Sequence, residues 1–224
     1  VTVEETPELN LPHEDWIPSV TRAGYGPGGV GAITLFDLVK AALRQRPDYI
    51  IVGEVRGEEA YVLFQAMATG HLGFCTIHAE TIDRIFKRLE SKPMNIPKIF
   101  FEAIDVIALQ VRTERKGRPI RRTKVVAEVT GLDPETLDPQ ILEVFRWDPV
   151  TDTHVFLGRS HLLEEIAADK GISLGEVQRE LERRKLVLEW MVRKNLRDYK
   201  TVANIIREYY ADPRRVLMRA RVGA

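Results

Sequence analysis

Among 224 residues there is a single cysteine, Cys75. That excludes an internal disulfide framework and any multi-cysteine zinc site, and it fits a reducing compartment. Net charge is lacking too, because 33 Lys and Arg offset 33 Asp and Glu. No global field therefore recruits nucleic acid or an anionic bilayer, and no nucleic-acid partner is expected. No apolar stretch approaches the roughly 20 residues of a membrane span, and the N-terminus has no basic-then-apolar leader pattern. A cytoplasmic protein is the expectation. What is present, 44% apolar and 29% charged residues, is an ordinary globular composition on a chain long enough to bury a real core.

Val1-Thr2-Val3 alternates, is β-branched and runs at once into Glu4-Glu5, which predicts a strand. Residues 7–17 are polar and marked by proline, as in an ordered loop, and "GYGPGGVG" at 24–31 reads as a mobile surface loop. Thr34 offers a helix cap with Asp37 three residues on, and Leu35, Leu38, Val39, Ala42 and Leu43 follow at helical spacing until Pro47. A strand at 49–52, a helix at 58–68 stopped by Gly70, a strand at 74–77 and a helix at 81–90 come next. Strands and helices alternating in this way predict parallel strands with helical crossovers, hence an α/β core. Shorter strands at 104–111, 125–132, 141–147 and 154–157 either extend that sheet or form an antiparallel flap at its edge.

Beyond Gly158 the pattern becomes helical. Ser160, Ser173 with Glu176, and Asp198 each offer a cap, the last to a helix carrying Val202, Ile205, Ile206 and Tyr209. Residues 170–224 hold 14 Lys and Arg against 7 Asp and Glu. A boundary near residue 159 divides an α/β domain, 1–158, from a helical subdomain, 159–224.

Two glycine patterns mislead. Gly24, Gly26 and Gly29 match G-x-G-x-x-G, but Thr21-Arg22-Ala23 is no preceding strand and Pro27 sits inside the motif. Gly26 and Gly31 have the frame of a P-loop, yet Ala32-Ile33 stands where Lys and Ser or Thr belong. A G-x-x-x-x-G-K-[ST] motif occurs nowhere in the 224 residues.

The chemistry concentrates elsewhere. In "VGEVRG", residues 52–57, an apolar strand ends on Gly53 and then Glu54. The carboxyl ends of parallel strands are where open α/β folds bind ligands, and a carboxylate there can orient or deprotonate water or hold magnesium through its hydration shell. A solvated strand end is the alternative. His71 and His78 flank the next strand, in "ATGHLGFCTIHAE", and Arg44, Arg46 and Arg56 surround the Glu54 strand. Histidine donates hydrogen bonds to phosphate oxygens near neutral pH, and arginine stabilises charge on a transferring phosphoryl group. Each histidine equally suits a hydrogen-bonded packing role, and Arg56 can instead pair locally with Glu54 or Glu58.

Taken together, "EETPEL", "LVKAALRQRPDYIIVGEVRG" and "ATGHLGFCTIHA" resemble the Asp box, Walker B region and His box of the secretion-superfamily ATPases. These are the motors of type II secretion, type IV pili, type IV secretion and the archaellum. "MVRKNLRDYKTVANIIREYYADP" resembles the C-terminal helices of their archaeal members, and the missing tetracysteine insert agrees with that. The resemblance implies a partial RecA-like P-loop NTPase core with a largely parallel sheet, a β-hairpin extension and a C-terminal helical subdomain. It implies ATP and Mg2+ as cofactors. Glu54 matches the Walker B catalytic glutamate and Glu4 the acid of the Asp box; these two are also the indirect magnesium residues. Glu5 stands where many members have Asp. His78 matches the His box, His71 begins it, and Arg22 resembles a position that approaches nucleotide on a neighbouring subunit; with Arg56, these complete the nucleotide-binding set. The resemblance also implies a hexamer, peripheral at the cytoplasmic membrane, working with an inner-membrane platform protein. Because the Walker A loop should precede Val1, the chain is expected to be the C-terminal portion of such a motor, inactive alone.

A non-catalytic scaffold with the same fold is the rival. A RecA-like nucleic-acid translocase is a third reading, weakened by the neutral charge and by the want of an aromatic-interleaved basic groove. The basic run "RTERKGRPIRR", residues 112–122, reads as a solvated β-hairpin turn, with nucleic-acid or lipid-headgroup contact as the alternative.

Overall fold

The computed structural model describes residues 1–26 and 28–222, so Pro27 of the glycine-rich stretch and the last two residues lie outside the described residues. The chain divides into two compact units, 1–10 with 15–161, and 11–14 with 162–224.

The first unit holds a four-stranded parallel sheet in the order β2-β1-β3-β4. Its strands are β1 (Thr2–Glu4), β2 (Pro18–Val20), β3 (Tyr49–Val52) and β4 (Leu72–Cys75). The connecting helices are α1 (Leu35–Arg44) and α2 (Glu59–Ala68), with α3 (Ile82–Glu90) after β4. Helix α1 starts where the sequence places it. The Asp37 N–H donates to Thr34 Oγ1 at 3.2 Å and the Thr34 N–H donates back to Asp37 Oδ2 at 3.0 Å. Its Leu35, Val39 and Ala42 face inward. Val3, Ile50, Val52, Leu63 and Phe101 are fully buried, each contributing about 1.5–3 kcal/mol of apolar burial. The α/β reading with a largely parallel sheet is what the structure has. The glycine-rich stretch, expected to be mobile, is drawn into an arm with bridges between Arg22 and Ile33 and between Tyr25 and Val30.

The later strands do not extend the parallel sheet. They form a separate antiparallel meander of β5 (Val106–Arg115), β6 (Arg118–Leu132), β7 (Pro139–Asp148) and β8 (Thr153–Phe156). Lys116 and Gly117 both take positive φ, 51° and 74°, as a two-residue turn between twisted strands requires. Ile107 and Val129 of this sheet join the core formed with the parallel sheet and its helices.

The second unit is helical: α4 (His161–Lys170), α5 (Leu174–Arg193), α6 (Tyr199–Ala211) and α7 (Pro213–Val222). The Ser173–Glu176 capping box and the Asp198 cap, whose Oδ2 accepts the Thr201 N–H at 2.8 Å, start α5 and α6 as expected. Val187, Trp190, Met191, Ile205, Tyr209, Val216, Leu217 and Ala220 form its core. Helix α7 is an addition to the three helices expected. None of the helices in the described residues is long and apolar enough to cross a membrane.

Candidate functional site

Parallel pairing brings the carboxyl ends of β1, β3 and β4 to one edge. Val3 is in register with Val52, so the chain leaves β1 at Glu4 beside Gly53. The Glu4 side chain is buried, and its Oε1 accepts the backbone N–H groups of Glu8 at 3.0 Å and Leu9 at 3.1 Å. Gly53 makes room for it: a Cβ there would stand 3.1 Å from Glu4 Cγ. The glycine ending the strand thus accommodates a neighbouring acid.

Glu54 follows, with its side chain 27% exposed. One carboxylate oxygen lies 2.9 Å from His78 Nδ1 and the other 3.8 Å from an Arg56 guanidinium nitrogen. The same nitrogen of Arg56 is ion-paired with Glu5. Glu5, Arg56, Glu54 and His78 therefore form one chain of alternating acid and base across the loops that follow three adjacent strands. Among the described ion pairs, Glu58 is not a partner of Arg56. The backbone supports the arrangement: the Val55 N–H donates to the Thr76 carbonyl at 2.9 Å, and Thr76 Oγ1 donates to the Gly53 carbonyl at 2.6 Å. An Arg88 guanidinium nitrogen donates to the His78 carbonyl at 2.6 Å, while the imidazole itself is 78% exposed. The acid is held and its histidine partner is open to a ligand.

Glu59 was not visible as part of this site. It is buried in the first turn of α2, and its Oε1 accepts the N–H groups of Arg56 at 2.8 Å and Gly57 at 2.7 Å. The turn carrying Arg56 away from Glu54 is closed by this carboxylate. A Cβ at Gly57 would come within 2.7 Å of Glu59 Oε2. A glycine two residues before a helix-starting acid, in "RGEEA", is the one signal that could have pointed to it.

Two expected residues stand apart. His71 precedes Leu72, whose register partner is Tyr49, the first residue of β3. It lies at the opposite edge of the sheet from His78, with Nδ1 buried and without a hydrogen-bond partner in the structure. Arg22 follows β2, and its Nε donates to the Gly31 carbonyl at 3.0 Å, within the hairpin arm. Neither meets the Glu54 group. Cys75 ends β4, and burial pushes its thiol up to about 11, which keeps it protonated at neutral pH.

Among the described residues no group of three or more His, Cys, Asp or Glu is placed to hold a metal ion. A bare divalent cation thus lacks a protein cage here, and magnesium fits only with oxygens from a ligand or from water. The site offers carboxylates that can accept a proton or hold water, beside an imidazole and a guanidinium that can donate to anionic oxygens. Backbone amides and a lysine for the remaining phosphates would come from a G-x-x-x-x-G-K-[ST] loop, which these 224 residues lack.

The uncharacterized protein MJ1287 of Methanocaldococcus jannaschii is 53% identical over 184 residues, covering 82% of this chain and 68% of that protein. MJ0900 of the same organism is 41% identical over 211 residues, 92% of this chain, but the chain spans only 38% of its length. Among solved structures, the VirB11 ATPase of the Brucella suis type IV secretion system is 26% identical with a TM-score of 0.45, covering 56% of this chain and 38% of that one. The model of the family described as "Type II/IV secretion system protein" matches residues 1–197, and the chain belongs to that family.

Proposed function

We propose that this chain is the hydrolysis-side portion of an ATP-driven motor for type II-like secretion, type IV pilus or archaellum assembly. The observation that carries the reading is the chain Glu5–Arg56–Glu54–His78 at the carboxyl edge of a parallel sheet. Family membership supports the ATPase class. When bound, ATP would supply the phosphoanhydride and Mg2+ would neutralise its charge. Glu54 orients or deprotonates the attacking water. Its carboxylate is kept from swinging away by His78 on one oxygen and by Arg56 beyond the other. His78, exposed and within reach of both Glu54 and solvent, senses the terminal phosphate by exchanging its carboxylate partner for a phosphate oxygen. Glu4, fixed by two backbone N–H groups, assists the water or would position Mg2+. Arg22, on its arm, serves nucleotide held by a neighbouring subunit of a hexamer.

The assembly works at the cytoplasmic face of a membrane against an inner-membrane platform protein. ATP turnover requires the phosphate cradle of a Walker A loop, so these 224 residues by themselves are inactive. The rival, a non-catalytic scaffold, is favoured only by that missing cradle. The test uses the full-length protein. Glu54→Gln keeps the size and loses the base, and turnover is expected to fall by about 10²–10⁴-fold while nucleotide binding is retained. Turnover within threefold of the unmodified protein sinks the assignment of Glu54.

A further inference from the structure

The tip of the β5–β6 hairpin, residues 112–124, carries Arg112, Arg115, Lys116, Arg118, Arg121, Arg122 and Lys124 against one acid, Glu114. Antiparallel register sets Arg112 directly opposite Arg121, and strand alternation puts Arg115 and Arg122 on the other face. The two faces are treated differently. Arg115 donates to Asp152 Oδ2 at 2.8 Å and Arg122 grips both oxygens of the same carboxylate at 2.7 Å. That acid is held well below the usual carboxylate range, first by Arg122 and then by the Trp147 N–H. The Arg112–Arg121 pair receives no such acid: among the described residues neither guanidinium has an ion pair or a side-chain hydrogen bond. Its nearest neighbours along that face, Gln110 and Thr123, bond to each other at 3.0 Å, and Glu114 faces Pro119.

Like charges directly opposite on one face of a sheet repel, and arginine does not shed its charge to relieve them. A shallow cavity of about 200 Å³ lies there, lined by Arg112, Pro119, Ile120 and Arg121. The geometry points to an anion clamp in which Arg112 and Arg121 together bind a phosphate group. Two planar forks offer parallel N–H donors, and a tetrahedral phosphate has oxygens enough to serve both, whereas a single carboxylate saturates one. Nothing aromatic lies between Val106 and Lys124, so the hairpin's own residues offer no platform on which a nucleic-acid base could stack. The phosphate comes either from solution or from a lipid headgroup.

The test follows the arginine Nε–H resonances of the 224-residue chain on adding inorganic phosphate, with sodium chloride at equal ionic strength as the control. Arg112 and Arg121 are expected to shift saturably with phosphate alone. Arg112→Gln and Arg121→Gln each weaken binding by about tenfold or more, whereas Arg118→Gln, on the other face of the same hairpin, stays within about twofold. An unchanged far-UV circular dichroism spectrum verifies that each variant is folded. Flotation with phosphatidylcholine vesicles, with and without phosphatidic acid, separates the sources. Capture that needs both phosphatidic acid and the two arginines assigns the lipid, and saturable shifts without capture assign dissolved phosphate. Shifts no larger than with chloride and no capture overturn the clamp, and so does a loss in Arg118→Gln equal to that in Arg112→Gln.

Discussion

Glu59→Ala is the substitution that most directly tests how the Glu54 edge is built. The carboxylate is buried and accepts two backbone N–H groups, from Arg56 and Gly57. Removing it strands both donors in a space that a methyl group cannot fill. Hydrogen bonds to a charged acceptor contribute about 1.5–3 kcal/mol each, so the loss of two is expected to cost about 3–6 kcal/mol locally. The turn at Arg56–Gly57 is short and lies near the surface, so part of this cost is relieved by local opening to water. Two assays separate the local effect from the global one. Amide hydrogen exchange at Arg56 and Gly57 is expected to accelerate by more than a hundredfold, while exchange in β3 and α1 changes less, and urea denaturation is expected to show a smaller drop in stability than the local figure. Glu59→Gln keeps the volume but turns one acceptor into a donor, and its effect falls between. Unchanged protection at Arg56 and Gly57 in the alanine variant refutes the claim that Glu59 closes the turn.

Gly53→Ala puts a methyl group 3.1 Å from Glu4 Cγ. A stability loss of about 1–3 kcal/mol by denaturant titration is expected from this overpacking, and a change under 0.3 kcal/mol refutes the packing argument. Asp152 gives a pH signature. Its folded value is depressed by Arg122 first, then by Trp147 and by the charges of Arg122 and Arg115. The stabilisation it lends the hairpin is therefore complete above its unfolded value near ~4, and it fades as pH falls further toward the depressed folded value. Trp147, whose indole N–H donates to Asp152 Oδ1 at 2.9 Å, reports it by fluorescence. Asp152→Asn is expected to flatten that acid limb, and equal acid sensitivity in both proteins contradicts the linkage.

Which features were readable depends on how far apart in sequence their causes lie. The α1 and α5 caps were legible because each box is four residues of local chemistry. Strand β3 was legible because Ile50, Ile51 and Val52 form an apolar run bounded by Pro47 and Gly53. Strand β2 was not: Pro18-Ser19-Val20 has no pattern of its own and exists through its pairing with β1. Strands β5 and β6 continue well past their apolar cores, through Arg115 and from Arg118, because ladder hydrogen bonds do not need apolar side chains. The hairpin turn was read correctly while the length of its arms was not. Helix α7 hid its buried Val216, Leu217 and Ala220 among four arginines.

The same distinction governs the site. Glu54 and His78 follow successive strands of a parallel sheet, and parallel strands deliver their following residues to one edge, so meeting was a topological consequence of the α/β reading. His71 precedes the strand that His78 follows, and the direction that gathers one sends the other to the far edge. That inference was available from strand direction alone. Glu59 left only the glycine two residues before it as a trace in the sequence, since a carboxylate folded back on two N–H groups has no periodicity. The two acids of this edge are also fixed differently. Glu4 is buried and tied to the backbone, whereas Glu54 is partly exposed and held by side chains that are themselves half or more exposed. The side-chain hold is the one a ligand can compete for: a phosphate drawing His78 or Arg56 toward itself frees Glu54, while Glu4 keeps its place. Under the proposed function, a site built this way couples the arrival of phosphate to the release of Glu54.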